Sequence, residues 1–106
     1  MNKIALNKYR DTYYFKWDNK DETIEMVNEY LKTTKGHNWS CLRCWDEETN
    51  SNTSDVLCIS EKFGTSTSNS FYQLGEYVID TKRSFWGYNE EDFKRGDWKE
   101  TISKWA

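Results

Sequence analysis

The sequence contains no proline. A chain without proline has no proline-rich linker of the kind that separates domains. Its 106 residues suffice for one hydrophobic core, which would bury about two-thirds of the surface that the unfolded chain exposes. We therefore expect a single compact domain that spans residues 1–106.

Long apolar runs are also missing. The apolar runs extend over only a few residues, and residues 1–8 lack the apolar segment of a signal peptide. The chain has three cysteines, and an odd number suits reduced thiols better than a disulfide framework. These features predict a cytoplasmic protein without a membrane segment.

The sequence has no basic stripe. Its 15 Lys and Arg residues are scattered among 18 Asp and Glu residues, which gives a formal net charge of −3. Proteins that bind nucleic acid directly usually concentrate Lys and Arg on one face. We therefore expect no direct contact with DNA or RNA.

The motifs of common catalytic sites are absent as well. The sequence contains no Gly-rich phosphate loop, no Walker pattern and no nucleophile elbow. Adjacent carboxylates in a polar loop are normally solvated, and nothing around them indicates the burial that acid–base catalysis would need. The expectation is a protein without enzymatic activity.

Aromatic residues are abundant, with 6 Trp, 7 Tyr and 5 Phe. Most of these rings are expected in the core. The rings that the core cannot hold lie at the surface, where Trp and Tyr commonly anchor protein partners.

The stretch over residues 39–63 is predicted to organise the fold. Two apolar runs of strand length flank a segment, residues 47–54, that is rich in Asn, Ser and Thr, which is typical of a hairpin loop. We predict two adjacent antiparallel strands at the centre of a sheet. All three cysteines lie within this stretch.

A helix is predicted over about residues 20–34. Asn19 and Glu22 match a capping box at its start, and Gly36 suits the position just after its end. Its apolar stripe consists of Ile24, Val27 and Leu31.

The remaining segments complete an α+β fold. The pattern predicts strands over residues 9–17, 71–74, 76–80 and 84–88, an exposed polar connection over 64–70, a helical turn over 90–95 capped by Asn89 and ended by Gly96, and a last helix with Trp98, Ile102 and Trp105 on one face. We expect one antiparallel sheet of four to five strands, the main helix packed across it, and short C-terminal helical turns.

A zinc site is one alternative that the cysteines leave open. Zinc prefers four thiolate or imidazole ligands in a tetrahedron, and the candidates are His37, Cys41, Cys44 and Cys58. In a strand, however, Cys41 and Cys44 point to opposite faces, and free cysteines are commonly buried as small apolar residues. A small zinc-stabilised adaptor or regulatory protein is therefore the alternative to a protein without a cofactor.

A nucleophilic thiol is a second alternative. His37 would act as the base for Cys41 or Cys44. A strand offers no helix N-terminus to lower the pKa of a thiol, so the pattern does not favour this chemistry.

Two acidic clusters lie next to aromatic residues, and they are the candidate partner-binding sites. The first cluster comprises Trp45, Asp46, Glu47 and Glu48, and the second comprises Trp86, Tyr88, Glu90, Glu91 and Asp92, followed by Phe93. Carboxylates beside aromatic rings can pair with guanidinium groups and stack on their planes. An arginine-rich protein surface that normally holds nucleic acid is the expected partner. The exposed aromatic residues could also hold a homodimer together.

Residues 75–93 resemble a pattern found in short phage-encoded proteins. Gly75, Glu76 and Tyr77 begin the pattern, two aliphatic residues and a turn follow, and an aromatic strand leads to an acidic helical turn with Phe93. The turn over 81–84 departs from the usual form because it contains no glycine. This pattern is structural and names no activity. The small size of the chain, its high usage of Asn, Lys, Asp and Tyr, and the absence of a catalytic motif also resemble phage proteins that bind and inhibit a host factor, including anti-CRISPR and anti-restriction inhibitors. The resemblance implies a phage protein in the host cytosol that binds and inhibits a host defence protein.

Overall fold

The computed structural model describes residues 6–9 and 12–100. In chain order these residues form β1 Asn7–Tyr9, β2 Thr12–Lys16, α1 Asp21–Thr34, β3 Trp39–Arg43, β4 Leu57–Phe63, β5 Ser66–Tyr72, β6 Tyr77–Asp80, β7 Phe85–Tyr88 and α2 Glu90–Arg95. The helices within this part of the chain are all too short or too polar to span a bilayer.

The strands form two antiparallel sheets. The first sheet has four strands in the order β1-β2-β6-β7, and the second has three in the order β3-β4-β5. The α+β class and the main helix are confirmed. The strands divide between two sheets instead of forming the single sheet that the sequence suggested.

Helix α1 buries the apolar stripe that its spacing predicts. Val27 and Leu31 are fully buried in the core, and Ile24 packs against it. The end of the helix also follows the prediction, because Gly36 has a φ of 101° and donates its N–H to the Leu31 carbonyl at 2.9 Å. Few residues other than glycine adopt this left-handed conformation without strain.

The predicted capping box at the start of α1 is wrong. Asn19 has a φ of 59°, and Lys20 occupies the N-cap position without a side-chain capping bond. The Asp18 carboxylate instead holds the turn that leads into the helix, since its Oδ1 accepts from the Lys20 N–H at 3.2 Å and from the Thr23 hydroxyl at 2.7 Å. The helix begins at Asp21, one residue later than a capping box at Asn19 requires.

The predicted hairpin of residues 39–63 is confirmed, with β3 and β4 in antiparallel register and Cys41 opposite Ile59. Only β4 is central, because β3 lies at an edge of the second sheet. Helix α1 covers that edge. The Asn28 side chain accepts from the Cys41 N–H and donates to the Cys41 carbonyl, both at 2.8 Å.

The prediction of an irregular connection over residues 64–70 is wrong. Strand β5 occupies Ser66–Tyr72 and pairs with the whole length of β4. Its Ser and Thr side chains are mostly exposed on both faces, so the strand lacks the alternating apolar residues by which strands are recognised. The strand is held in place by its backbone hydrogen bonds to β4, because its side chains bury little apolar surface.

The two sheets share one core with α1. Its buried members are Leu6, Phe15, Trp17, Val27, Leu31, Cys41, Leu57, Ile59, Tyr72, Val78 and Phe85. Trp17, which follows β2 of the first sheet, connects that sheet to loops of the second sheet. Its backbone N–H donates to the Glu76 carbonyl and its carbonyl accepts from Gly75, both at 2.9 Å, and its indole N–H donates to the Asp55 carbonyl at 2.6 Å.

The other face of the first sheet is covered by the C-terminal segment. The predicted helical turn is confirmed as α2, with the Asn89 side chain accepting from the Asp92 N–H at 2.8 Å and Gly96 at a φ of 85°. Phe93 stacks on Tyr77 with 3.9 Å between ring centroids and on Trp98 at 4.9 Å. Of the predicted last helix, Trp98 is buried, while Ile102 and Trp105 lie outside the described residues.

A buried ion pair ties the end of α1 to β6. The Lys35 Nζ lies 3.0 Å from the Asp80 Oδ1, and both side chains are 9% exposed. The Tyr30 hydroxyl donates to the Asp80 Oδ2, and the Lys82 N–H donates to the Oδ1 at 2.7 Å. The pKa of Tyr30 lies well above its ordinary value, mainly because the hydroxyl is buried and secondly because it donates a hydrogen bond to this carboxylate.

Candidate interaction surface

The loop between β3 and β4 carries the first acidic cluster and has a defined shape. The Asp46 N–H donates to the Ser51 carbonyl at 2.7 Å, and the Ser51 N–H donates back at 3.3 Å. The Asn52 side chain donates to the Arg43 carbonyl at 3.0 Å, and the Ser54 N–H donates to the Cys44 carbonyl at 3.2 Å. The hairpin therefore extends as an ordered projection beyond the last strand pair.

The four side chains of the first cluster have different roles. The Asp46 carboxylate shapes the loop, because its Oδ1 accepts from the Glu48 N–H at 2.9 Å. Glu47 and Glu48 are exposed, and neither carboxylate has a hydrogen bond or ion pair within residues 6–9 and 12–100. Trp45 is 55% exposed. Trp45, Glu47 and Glu48 form what we call the loop patch, whose two carboxylates are available to a partner as far as the described residues show.

The acids of the second cluster are largely paired within the protein. Glu90 lies 3.8 Å from the Lys16 Nζ and 3.6 Å from the Lys94 Nζ, and Asp92 lies 2.5 Å from the Arg95 guanidinium. Only Glu91 is exposed without such a partner in the described chain.

The aromatic residues of the second cluster differ in their exposure. Trp86 is 59% exposed, whereas Tyr88 is half-buried and Phe93 belongs to the stack with Tyr77 and Trp98. Burial, and then the nearby Asp92 charge, raises the pKa of Tyr88. No hydrogen bond, ion pair or ring contact that the structure describes joins this cluster to the loop patch. Because Glu90 and Asp92 are paired within the protein, the loop patch is the better candidate for a binding site.

Of the four residues proposed as zinc ligands, the structure brings Cys44 and Cys58 together but not His37 or Cys41 with them. Cys41 faces the core beside Ile59, whereas Cys58 pairs with Leu42 on the opposite face of the second sheet. His37 is exposed in the turn before β3. Within the described residues, no group of three or more His, Cys, Asp or Glu side chains is placed to hold a metal ion.

The thiols are also poorly placed for nucleophilic chemistry. Burial raises the pKa of Cys41 to about 12, with a smaller contribution from Cys58. Burial also raises the pKa of Cys44, which is hydrogen-bonded to Cys58 on the outer face. A thiol with a raised pKa is protonated at neutral pH and is a poor nucleophile.

One surface was missed by the sequence analysis. Leu42, Cys58 and Phe71 lie directly opposite one another on β3, β4 and β5, on the face of the second sheet that points away from the core. We call this face the outer face. Phe71 is 60% exposed and Leu42 is 40% exposed. The signal was hidden because the segment before Phe71 lacks the apolar alternation of a strand.

Comparison with protein-family models, with curated proteins and with solved structures found no match to this chain. The fold and the surface chemistry are therefore the basis for any functional inference.

Proposed function

We propose that this protein is a non-enzymatic inhibitor, of the phage-encoded type, that binds a host defence protein such as a CRISPR effector or a restriction enzyme. The loop patch would occupy the basic surface with which that partner holds nucleic acid. The observation that carries the proposal is that Trp45, Glu47 and Glu48 are exposed on an ordered loop, and that neither carboxylate has a hydrogen bond or ion pair among residues 6–9 and 12–100.

The chemistry of the loop patch suits an arginine-rich surface. A carboxylate accepts two hydrogen bonds from a guanidinium group, and an indole ring attracts the same cation over its face. Because the loop is already ordered by the Asp46–Ser51 bonds, less conformational entropy is lost when a partner binds. A net charge of −3 confines this attraction to a local patch instead of the whole molecule.

The decisive experiment reverses two charges and leaves the loop intact. We expect the Glu47→Lys/Glu48→Lys variant to bind the partner at least tenfold more weakly, because each lysine would face a basic surface. Asp46 should be kept, since its carboxylate holds the Glu48 N–H. The matched control is Glu22→Lys/Glu25→Lys, which reverses two exposed carboxylates on α1.

The partner would be isolated from host cells with the tagged wild-type protein and then purified. Calorimetry would give the affinity of each variant, and competition with the partner's nucleic acid would show whether both ligands use one surface. Equal affinities of the loop and helix variants would refute the role of the loop patch. Simultaneous binding of nucleic acid and this protein would refute the mode of inhibition.

A further inference from the structure

The two edges of the second sheet differ in how their backbone groups are satisfied. Along β4, the Cys44 N–H donates to the Val56 carbonyl and the Lys62 N–H donates to the Asn38 carbonyl. Even-numbered residues of β4 therefore bond to β3, and odd-numbered residues bond to β5. It follows that the odd-numbered residues of β3 and of β5 direct their N–H and C=O groups away from the sheet.

On the β3 edge, each of these residues has at least one outward backbone group satisfied within the protein. The Trp39 N–H donates to the Gly36 carbonyl at 3.4 Å, Asn28 satisfies both backbone groups of Cys41, and the Asn52 side chain donates to the Arg43 carbonyl. An exposed strand edge would otherwise offer these groups to another chain.

Among the described residues, the β5 edge is covered at its end alone. The Gln73 N–H donates to the Glu76 Oε1 at 2.6 Å, and the Gln73 carbonyl accepts from the Glu76 N–H at 3.0 Å. Thr67, Asn69 and Phe71 direct their backbone groups outward, and no strand or side chain in the described residues pairs with them. The strand also lacks the lysine or proline with which proteins commonly protect such an edge.

We propose that β5 pairs with β5 of a second copy of this chain, so that the two three-stranded sheets form one continuous antiparallel sheet about a two-fold axis. The β5 edge can pair with the same edge of a second copy because it carries no charge. Residues 63–75 contain no charged side chain in a chain that is 31% charged. In a symmetric pair, any charge near the axis would face a like charge.

The positions of the outward groups also fix the register. Pairing Asn69 with Asn69 of the partner copy places Thr67 of each chain opposite Phe71 of the other. All three outward-facing residues then exchange backbone hydrogen bonds, whereas a shift by two residues leaves an end residue unpaired. The exposed Phe71 ring would pack on the threonine methyl group, which is a favourable cross-strand pair. The Asn69 Oδ1 already accepts from the Ser60 hydroxyl at 2.6 Å, which leaves its amide N–H groups for the partner copy.

Sedimentation velocity over a range of protein concentrations tests the proposal. We expect a dimer that dissociates on dilution, and Asn69→Lys should weaken it at least tenfold by placing two lysines at the axis. The matched control is Ser40→Lys, which lies in the same cross-strand row but on the covered edge, and it should leave the dimer unchanged. Thr67→Pro is a second disrupting variant, because proline removes an N–H that points away from β4.

Amide hydrogen exchange provides an independent measurement. The N–H groups of Thr67, Asn69 and Phe71 should be protected in concentrated protein and lose that protection on dilution. A wild-type protein that sediments as a monomer at every concentration would overturn the proposal. So would a dimer that Asn69→Lys and Ser40→Lys affect equally, or one in which these three amides exchange freely.

Discussion

The Asn28 side chain forms two hydrogen bonds with the backbone of Cys41, so that an amide from α1 takes the place of a neighbouring strand. This pair holds the helix against the edge of the second sheet. It is a tertiary contact formed entirely by polar groups beside the core.

Replacement of Asn28 by alanine should lower the free energy of unfolding by about 1–3 kcal/mol, because both backbone groups of Cys41 lose their partner. Urea denaturation measures the change. Asn52→Ala is the control, since it removes only one exposed bond to the Arg43 carbonyl and should cost less. Equal losses of stability in the two variants would contradict a larger contribution from the Asn28 bonds than from the exposed Asn52 bond.

Removal of the Asp80 charge should be strongly destabilising. Asp80→Asn leaves the Lys35 ammonium buried without a counter-charge, and breaking a buried pair costs about 3–5 kcal/mol. Adding Lys35→Met should recover part of the loss, because the isolated charge is then gone. Lys94→Gln tests an exposed pair and should change stability by less than about 0.5 kcal/mol. Chemical denaturation of all four proteins provides the comparison.

The buried Cys41 thiol should make stability fall at alkaline pH. Its pKa rises from an ordinary 9.0 to about 12 in the folded protein, so the unfolded chain loses this proton first. The unfolded state then binds fewer protons, and the free energy of unfolding decreases as pH rises from about 9 toward 12.

Urea denaturation at successive pH values from 8 to 10 would measure this slope. Cys41→Ala should flatten it. Tyr72→Phe should alter the slope only above about pH 10, because burial raises the pKa of this tyrosine from 10.0 to about 12. A slope that Cys41→Ala leaves unchanged would argue against the contribution of this thiol.

Gly87 allows the two sheets to approach closely. A Cβ atom at this position would lie 2.7 Å from the Glu76 Oε2 and 2.9 Å from the Cδ1 of the buried Tyr72 ring. Gly87→Ala should therefore lower stability by about 1–3 kcal/mol. In a Tyr72→Val background the same change should cost less, and a thermal-denaturation cycle over the four proteins would detect that coupling. Additive effects would contradict a clash with the Tyr72 ring.

Protein purified without added metal should contain far less than one zinc ion per chain. Cys41 and Cys58 lie on opposite faces of the second sheet, and burial raises the pKa of both Cys41 and Cys44, which disfavours the thiolate that zinc requires. Elemental analysis gives the zinc content directly. A stoichiometric zinc content that chelators remove with loss of structure would support the adaptor hypothesis instead.

Elements with local signals were predictable from the sequence. The start of helix α2 is determined by the capping bond of the Asn89 side chain, and its end is determined by Gly96 in the left-handed conformation. The end of α1 at Gly36 follows from the same chemistry.

Elements that depend on distant contacts were not predictable. Strand β5 forms because β4 offers it backbone partners, and the division into two sheets depends on contacts that no local pattern encodes. The acidic clusters could be listed from the sequence. Their separation into a free loop patch and a paired helical turn required the positions of Lys16, Lys94 and Arg95.

Trp17 bonds through its backbone to Gly75 and Glu76, in the loop that joins β5 to β6, and through its indole to Asp55, in the loop between β3 and β4. Because these bonds and the burial of its ring tie Trp17 to both sheets, we expect neither sheet to unfold without breaking contacts of this residue. Loss of its indole contact and loss of each sheet should therefore coincide, and the protein should denature in a single cooperative step.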